Sequence, residues 1–429
     1  MSPFELELGD IQGLAVRGYR MPCARFRYYR FADPAQGRAW LGALAEPVTT
    51  AQEWPKETVS SLNVALSYPG LEALGIDEGT LAGFPRDFAE GMVFRGPEQL
   101  GDVGPNSPDE WEPVFRDRAV HAVSLVWARS EGALEDRLGE VGALQPAGVE
   151  LLAEQHAGAL PDGCEHFGYR DGISQPAIAG DGQPRPGQAG PVQPGEFILG
   201  YPDEIGQTAG SALRPELRDN GTYLVYRKLE QNVASFRAFL RAHAHEAGGE
   251  ERLAAKLLGR WRSGAPIIRA PDADDAALAG DEMRNNDFDY DRDDPRGTLC
   301  PRGAHIRRCR PRDSKPGRQR HLLLRRGMPY GPRLADGAPA DGHERGIIGM
   351  ILCASIERQF EFVQRAWLAD TRFDGLANES DPLIGSGGTF TIPGKFVPRC
   401  VTGLPRFVTV RGGEYLFLPS VSAMKWLAT

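Results

Sequence analysis

Between residues 24 and 155, runs with strand periodicity alternate with helical ones in an order that few folds satisfy. ARFRYYRFA (24–32) alternates large and polar groups, the period of a half-buried strand. A helix is predicted over 35–45, a strand at 61–68 (SLNVALSY) and a β-branched strand at 121–128 (HAVSLVWA). A helix in SEGALEDRLGEV and a closing strand at 148–155 complete the set. The order is βαββαβ, a split βαβ or ferredoxin-like unit. After a stretch rich in Gly, Pro, Gln and Asp (roughly 160–220), the order starts again. TYLVYRKL (222–229) predicts a strand, and Val233, Phe236, Phe239 and Leu240 share one helical face. GIIGMILCAS (346–355) is an apolar strand, followed by an amphipathic stripe at Ile356, Phe360, Val363 and Trp367. RFVTVRGGEYLFLPS predicts a hairpin turning at Gly412-Gly413. The expected architecture is α+β: two ferredoxin-like domains from duplicated βαββαβ units, with antiparallel sheets and helices. Residues 1–160 form the first domain, 161–220 a connecting loop region and 221–429 the second.

A chain of 429 residues is long enough for two or three domains. Its 52 glycines and 34 prolines exceed average usage and point to long ordered loops, the usual carriers of sites. The formal charge of −9, with Lys and Arg scattered, argues against a nucleic-acid partner. The N-terminus shows neither a basic, apolar secretory signal nor a twin-arginine pattern. No stretch approaches the ~20 apolar residues of a membrane span, so a cytoplasmic protein without a membrane partner is expected. Six scattered cysteines without a CxxC pair fit reduced thiols better than a disulfide framework or zinc site.

Three blocks carry candidate chemistry. His305 sits in CPRGAHIRRCRPR, between Pro301-Arg302-Gly303 and Pro311. A haem ligand needs a neutral imidazole in an apolar pocket with cations for the propionates, and Arg307 and Arg308 are candidates for those. A buried, hydrogen-bonded His beside surface arginines has the same local sequence. Asp171 lies in a GxxDG pattern, Gly168 to Gly172, within EHFGYRDGISQP. Paired glycines let the backbone approach a flat ligand and aim the carboxylate into a cavity; the plainer reading is a loop Asp capping its own turn. Arg325 and Arg326 precede a Gly/Pro turn in LLLRRGMPYGP, where a solvated strand edge is the plainer reading. His243 and His245 suit an exposed helix C-terminus. The acidic run NNDFDYDRDD (285–294) fails as a calcium loop, because Arg292 and Thr298 stand where Gly and a bidentate Glu are needed.

The blocks gain meaning from their order. GDIQG, FGYRDGISQP, NDFDYDRDDPRGTLCPRGAHIRR, LRRGMPYGP, RGIIGMILCASIERQFEFVQRAW and ESDPLIG together resemble the dye-decolourising haem peroxidases. The match runs from about residue 9 to the C-terminus and is most similar to the larger subgroup of that family. The resemblance implies one haem b per chain, held mainly by the C-terminal domain, with His305 as the proximal iron ligand. It implies Asp171, followed by Gly172, as the distal acid/base. Arg325, aligned on the GxPYG turn in preference to Arg326, becomes the distal charge stabiliser, its cation favouring an ionised Asp171. Asp381 of ESDPLIG is the expected hydrogen-bond partner of His305. Tyr330 is a candidate surface relay of electrons from donors too bulky to enter, with a packed turn aromatic as the plainer reading. Hydrogen peroxide and organic donors such as dyes and phenolics are the implied partners, and a homo-oligomer is left open. Two departures stand out: Gly327 replaces an Asn or Ser two places after the distal Arg, and Gly349 replaces an aromatic residue, making the pocket roomier. The alternative is a haem-handling protein, carrying haem or releasing its iron, which needs the ligand but not Asp171 and Arg325.

Overall fold

The computed structural model describes residues 5–182, 190–394 and 396–429; positions 183–189 of the expected connecting region lie outside the described residues. The first set of elements is β1 (Cys23–Phe31), helix Pro34–Ala45, β2 (Ser60–Ser67), β3 (Ala122–Ala128), helix Glu131–Ala143 and β4 (Val149–Gly158). Both helices start where the sequence offers a cap: Asp33 accepts from the Gln36 amide and Ser130 from the Ala133 amide. The second set begins with β5 (Thr222–Gln231) and helix Val233–Ala247, which buries Val233, Phe236, Phe239 and Leu240. Two short strands follow, β6 (Leu324–Arg325) and β7 (Met328–Tyr330), then β8 (Gly346–Cys353). A side hairpin, β9 (Gly388–Ile392) with β10 (Arg399–Leu404), precedes the last strand, β11 (Val408–Leu418).

All strands except the side hairpin join one antiparallel sheet in the order β4-β1-β3-β2-β11-β5-β8-β6, with β7 also on β8. Taking β6 and β7 as one interrupted strand, each half has the fourth strand beside the first and the third beside the second, as a βαββαβ unit requires. The halves meet where β2 pairs β11, at Ser67 with Leu416 and Leu66 with Phe417. The stripe Ile356, Phe360, Val363 and Trp367 is buried as its spacing demands. Its helix is wound more widely than an α-helix, as the turns Ile356–Glu361 and Val363–Leu368 with i→i+5 bonding, a form often found at functional sites.

The C-terminal hairpin is not there. Gly412 and Gly413 lie inside continuous β11, paired with Lys228 and Arg227 of β5 beside a bulge. The glycine pair serves close approach rather than reversal: a Cβ on Gly412 would enter the Phe115 ring, and one on Gly413 would meet Met92 Sδ and the Tyr226 carbonyl. Gly412→Val should therefore destabilise the fold by about 1–3 kcal/mol through overpacking. Urea unfolding checks this; an unchanged midpoint would show that the Phe115 ring yields freely.

The acidic run is a loop with one short helical turn, Tyr290–Asp293, whose first amides donate to Asp313. Among the described residues no cluster of metal-binding side chains occurs, all six cysteines are unpaired, and no helix is long and apolar enough to cross a membrane.

Candidate active site

Loops and strands of the second half, with the 165–176 loop and residues 100–106 of the first half, line a cavity of about 640 Å³. Its sheet wall follows from strand alternation. Ile347, Gly349 and Ile351 of β8 line it, as do Arg227, Leu229 and Gln231 of β5, each row on every second residue. His305, Asp171, Gly172, Arg325 and Gly327 all line the same cavity.

His305 opens a short helix, His305–Cys309. Its Nδ1 lies 2.9 Å from Oδ2 of Asp381, which is fully buried and takes amide hydrogen bonds from Leu383 and Ile384 on Oδ1. Burial pushes the Asp381 pKa up, but the His305 charge and these donors bring it below the usual range. Burial likewise pushes His305 down, and the Asp381 charge outweighs it, carrying the imidazole well above its ordinary value. With Nδ1 so engaged, Nε2 is left with a weak neighbour, Cys309 Sγ at 3.5 Å. One fifth of the side chain remains accessible, at the cavity.

Asp171 is held by a loop with its own internal scaffold. Glu165, missed by sequence reasoning, accepts from the Phe167 and Tyr169 amides and from Gln231 Nε2. Burial raises the Glu165 pKa against those hydrogen bonds. Gly168 (φ +94°) and Gly172 (φ +79°) take the left-handed turns on either side of Asp171. Oδ1 of Asp171 accepts from the Gly172 amide at 2.6 Å, while a Cβ added to Gly327 would lie 3.6 Å from Oδ2. The same loop anchors Arg325: its amide donates to Gln175 Oε1 and its Nη2 to the Ser174 carbonyl, both 3.0 Å. Among the described residues no ion pair joins Asp171 to Arg325. Arg326 points elsewhere, toward the carbonyls of Leu14 and Val16.

Three expected roles meet a different geometry. Arg307 and Arg308 are buried and do not reach the cavity. Arg307 donates to the carbonyls of Asp294 and Cys300, and Arg308 to those of Trp367 and Glu379 among others. Backbone carbonyls engage both guanidiniums away from the cavity, so neither is placed for a propionate. Tyr330 is not at the surface: it is 4% exposed, packed under Lys228 Nζ at 4.8 Å, so it cannot meet a bulky donor directly.

The cations at the cavity instead include Arg310, Arg312, Arg325 and Arg260. None of the four pairs with a carboxylate among the described residues. Among the described residues the Arg310 guanidinium donates one hydrogen bond, to Ser174 Oγ at 2.8 Å. Burial, then the Arg312 and Arg325 charges, push its guanidinium down to about 9. Burial first, with Arg312 second, does the same to Arg260. A pocket this cationic is relieved by an anionic ligand. An imidazole with a free nitrogen, apolar walls and unpaired arginines fit a planar metallocycle bearing carboxylates.

Residues 10–157 match the model of the DyP dimeric alpha+beta barrel domain. The chain is 32% identical to the dye-decolorizing peroxidase msp1 of Mycetinis scorodonius, over 98% of this chain and 87% of that protein. The structure superposes on the decolorizing peroxidase of Auricularia auricula-judae with TM-score 0.87 at 29% identity, covering 99% of this chain and all of the other. It superposes on a dye-decolorizing peroxidase in complex with 2,6-dimethoxyphenol with TM-score 0.85 at 30% identity, again over 99% and 100% of the two chains. The chain belongs to the dye-decolourising peroxidases, oxidoreductases that act on peroxide.

Proposed function

We propose that the cavity binds one haem b with His305 Nε2 as iron ligand, and that the chain reduces hydrogen peroxide to water while oxidising dyes and phenolic donors. The observation that carries this reading is the convergence on one cavity of an Asp381-oriented His305 with Asp171 and Arg325. The family relationship supports the cofactor, and the relative seen with 2,6-dimethoxyphenol supports phenolic donors. When bound, the haem supplies the site at which peroxide is reduced and the store of oxidising equivalents for the donors. Asp381 fixes the imidazole tautomer and ring plane, and makes His305 more electron-donating. Arg310 would serve a haem carboxylate in place of Arg307 and Arg308, while Arg325 would keep the charge-stabilising role expected of it. Asp171 Oδ2 takes a proton from one peroxide oxygen and returns it to the other, which leaves as water. Arg325, held by Ser174, faces the negative charge that builds on the departing oxygen.

Haem content per chain, with peroxide-dependent dye turnover by the haem-replete protein, tests the proposal. Stoichiometric haem without turnover would leave a haem carrier instead, a protein with no use for Asp171 and Arg325.

The two adjacent arginines give a sharper check. Arg325→Leu should slow the reaction with peroxide by about 10²-fold or more, the usual effect of removing one donor to a developing anion. Arg326→Leu should act mainly on stability, through its lost bonds to Leu14 and Val16. Rapid-mixing rates in the reverse order would assign the role to Arg326.

A further inference from the structure

We propose that His166 is a positioning residue for the peroxide step, pinning the loop that carries Asp171 to the strand that follows Arg325. The inference rests on the haem peroxidase reading above and adds a residue that touches neither cofactor nor peroxide. Residues 164–170 close on themselves. Cys164 bridges to Arg170, the Glu165 amide donates to the Tyr169 carbonyl, and the Gly168 amide donates to the Glu165 carbonyl. The Glu165 carboxylate fills the middle, accepting from the Phe167 and Tyr169 amides, so the segment is a rigid unit. Asp171 is the next residue, and its place depends on where that unit is fastened. Three fastenings lead away from the distal strands. Arg262 donates to the Phe167 carbonyl, the Tyr169 hydroxyl to the Ala254 carbonyl, and Gln231 of β5 to Glu165.

His166 reaches the distal strands themselves. Its Nε2 lies 2.8 Å from the Tyr330 carbonyl oxygen at the end of β7, and the side chain is 4% exposed. A carbonyl only accepts, so Nε2 carries the proton. Nδ1 is buried without a partner among the described residues. Burial pushes the imidazole below its ordinary value, and the Arg345 and Arg333 charges add to this against the Tyr330 carbonyl and Asp162. The neutral ring therefore spends its one N–H on the tie to β7. On the other side of Asp171, Ser174 and Gln175 hold Arg325 of β6. Asp171 thus sits between two ties to the same stretch of chain, residues 325–330, which carries Arg325 and Gly327. Two points of attachment fix the carboxylate against the guanidinium it works with; with one, the loop could pivot about Ser174 and Gln175.

Two amide side chains separate reach from polarity. The Nε2 of a glutamine can span to the Tyr330 carbonyl as the imidazole Nε2 does, whereas an asparagine ends one methylene short. Haem-loaded His166→Asn should react with hydrogen peroxide about tenfold or more slowly in rapid mixing, the cost of a small misplacement of a catalytic group. Its haem absorption and its KM for the organic donor should stay as in the wild type. Amide hydrogen exchange across residues 164–170 should quicken in the same variant, because the loop opens more often. His166→Gln should return both the peroxide rate and the exchange to near wild-type values. Wild-type behaviour of His166→Asn, equal defects in both variants, or failure of both to fold would overturn the positioning role. Absence of haem absorption or of peroxide turnover in the wild type would instead overturn the underlying peroxidase reading. Amide exchange in the same proteins still judges the pin.

Discussion

Asp171→Asn is expected to slow the reaction of the haem-loaded protein with hydrogen peroxide by about 10²–10⁴-fold, the range typical of a lost general acid–base group. The substitution keeps the shape and the hydrogen bond from the Gly172 amide, because the amide oxygen can replace Oδ1. It removes the basic character of Oδ2, the oxygen beside Gly327. Haem content should be unchanged, since Asp171 is anchored by its own loop and does not touch His305. Single-mixing kinetics and the haem absorption measure both effects. A near wild-type rate would reduce Asp171 to a loop cap and leave Arg325 sufficient.

His305→Ala should abolish most haem binding. Among the described residues lining the cavity, the imidazole is the one side chain with a nitrogen able to bind iron and oriented by a buried carboxylate. The variant also leaves Asp381 buried without its cation. Breaking one partner out of such a pair costs about 3–5 kcal/mol, so haem must be counted per folded chain in the monodisperse fraction. Full haem occupancy with an unaltered spectrum in that fraction would show that iron is held elsewhere.

How much of this was legible in the sequence depends on the reach of each signal. Apolar and β-branched runs at 61–68, 121–128 and 222–229 place β2, β3 and β5, which are buried on both faces for most of their length, while the partial alternation at 24–32 places β1. Gly412-Gly413 misleads because a glycine pair looks the same whether it reverses the chain or admits the Phe115 ring. Only the packed neighbour, almost three hundred residues away, distinguishes the two. Arg307 and Arg308 stand beside His305 in sequence, but backbone carbonyls hold their guanidiniums away from the cavity. Arg310 comes just after the helix, where the chain turns extended and its guanidinium returns to the cavity. Tyr330 alternates inward on β7 with Met328, a direction that three residues cannot reveal. Glu165 had a readable sign, an acid placed two and four residues ahead of the amides it accepts. Its burial depends on Gln231, from another strand.

The central claim is that this cavity holds a haem that reacts with peroxide. Its most direct test is the absorption spectrum of the purified, haem-reconstituted protein before and after one equivalent of hydrogen peroxide. One haem per chain, a spectrum that changes within the mixing time, and a return to the starting spectrum when a phenolic donor is added are expected. A protein that takes up no haem, or whose haem spectrum is unmoved by peroxide, would contradict it.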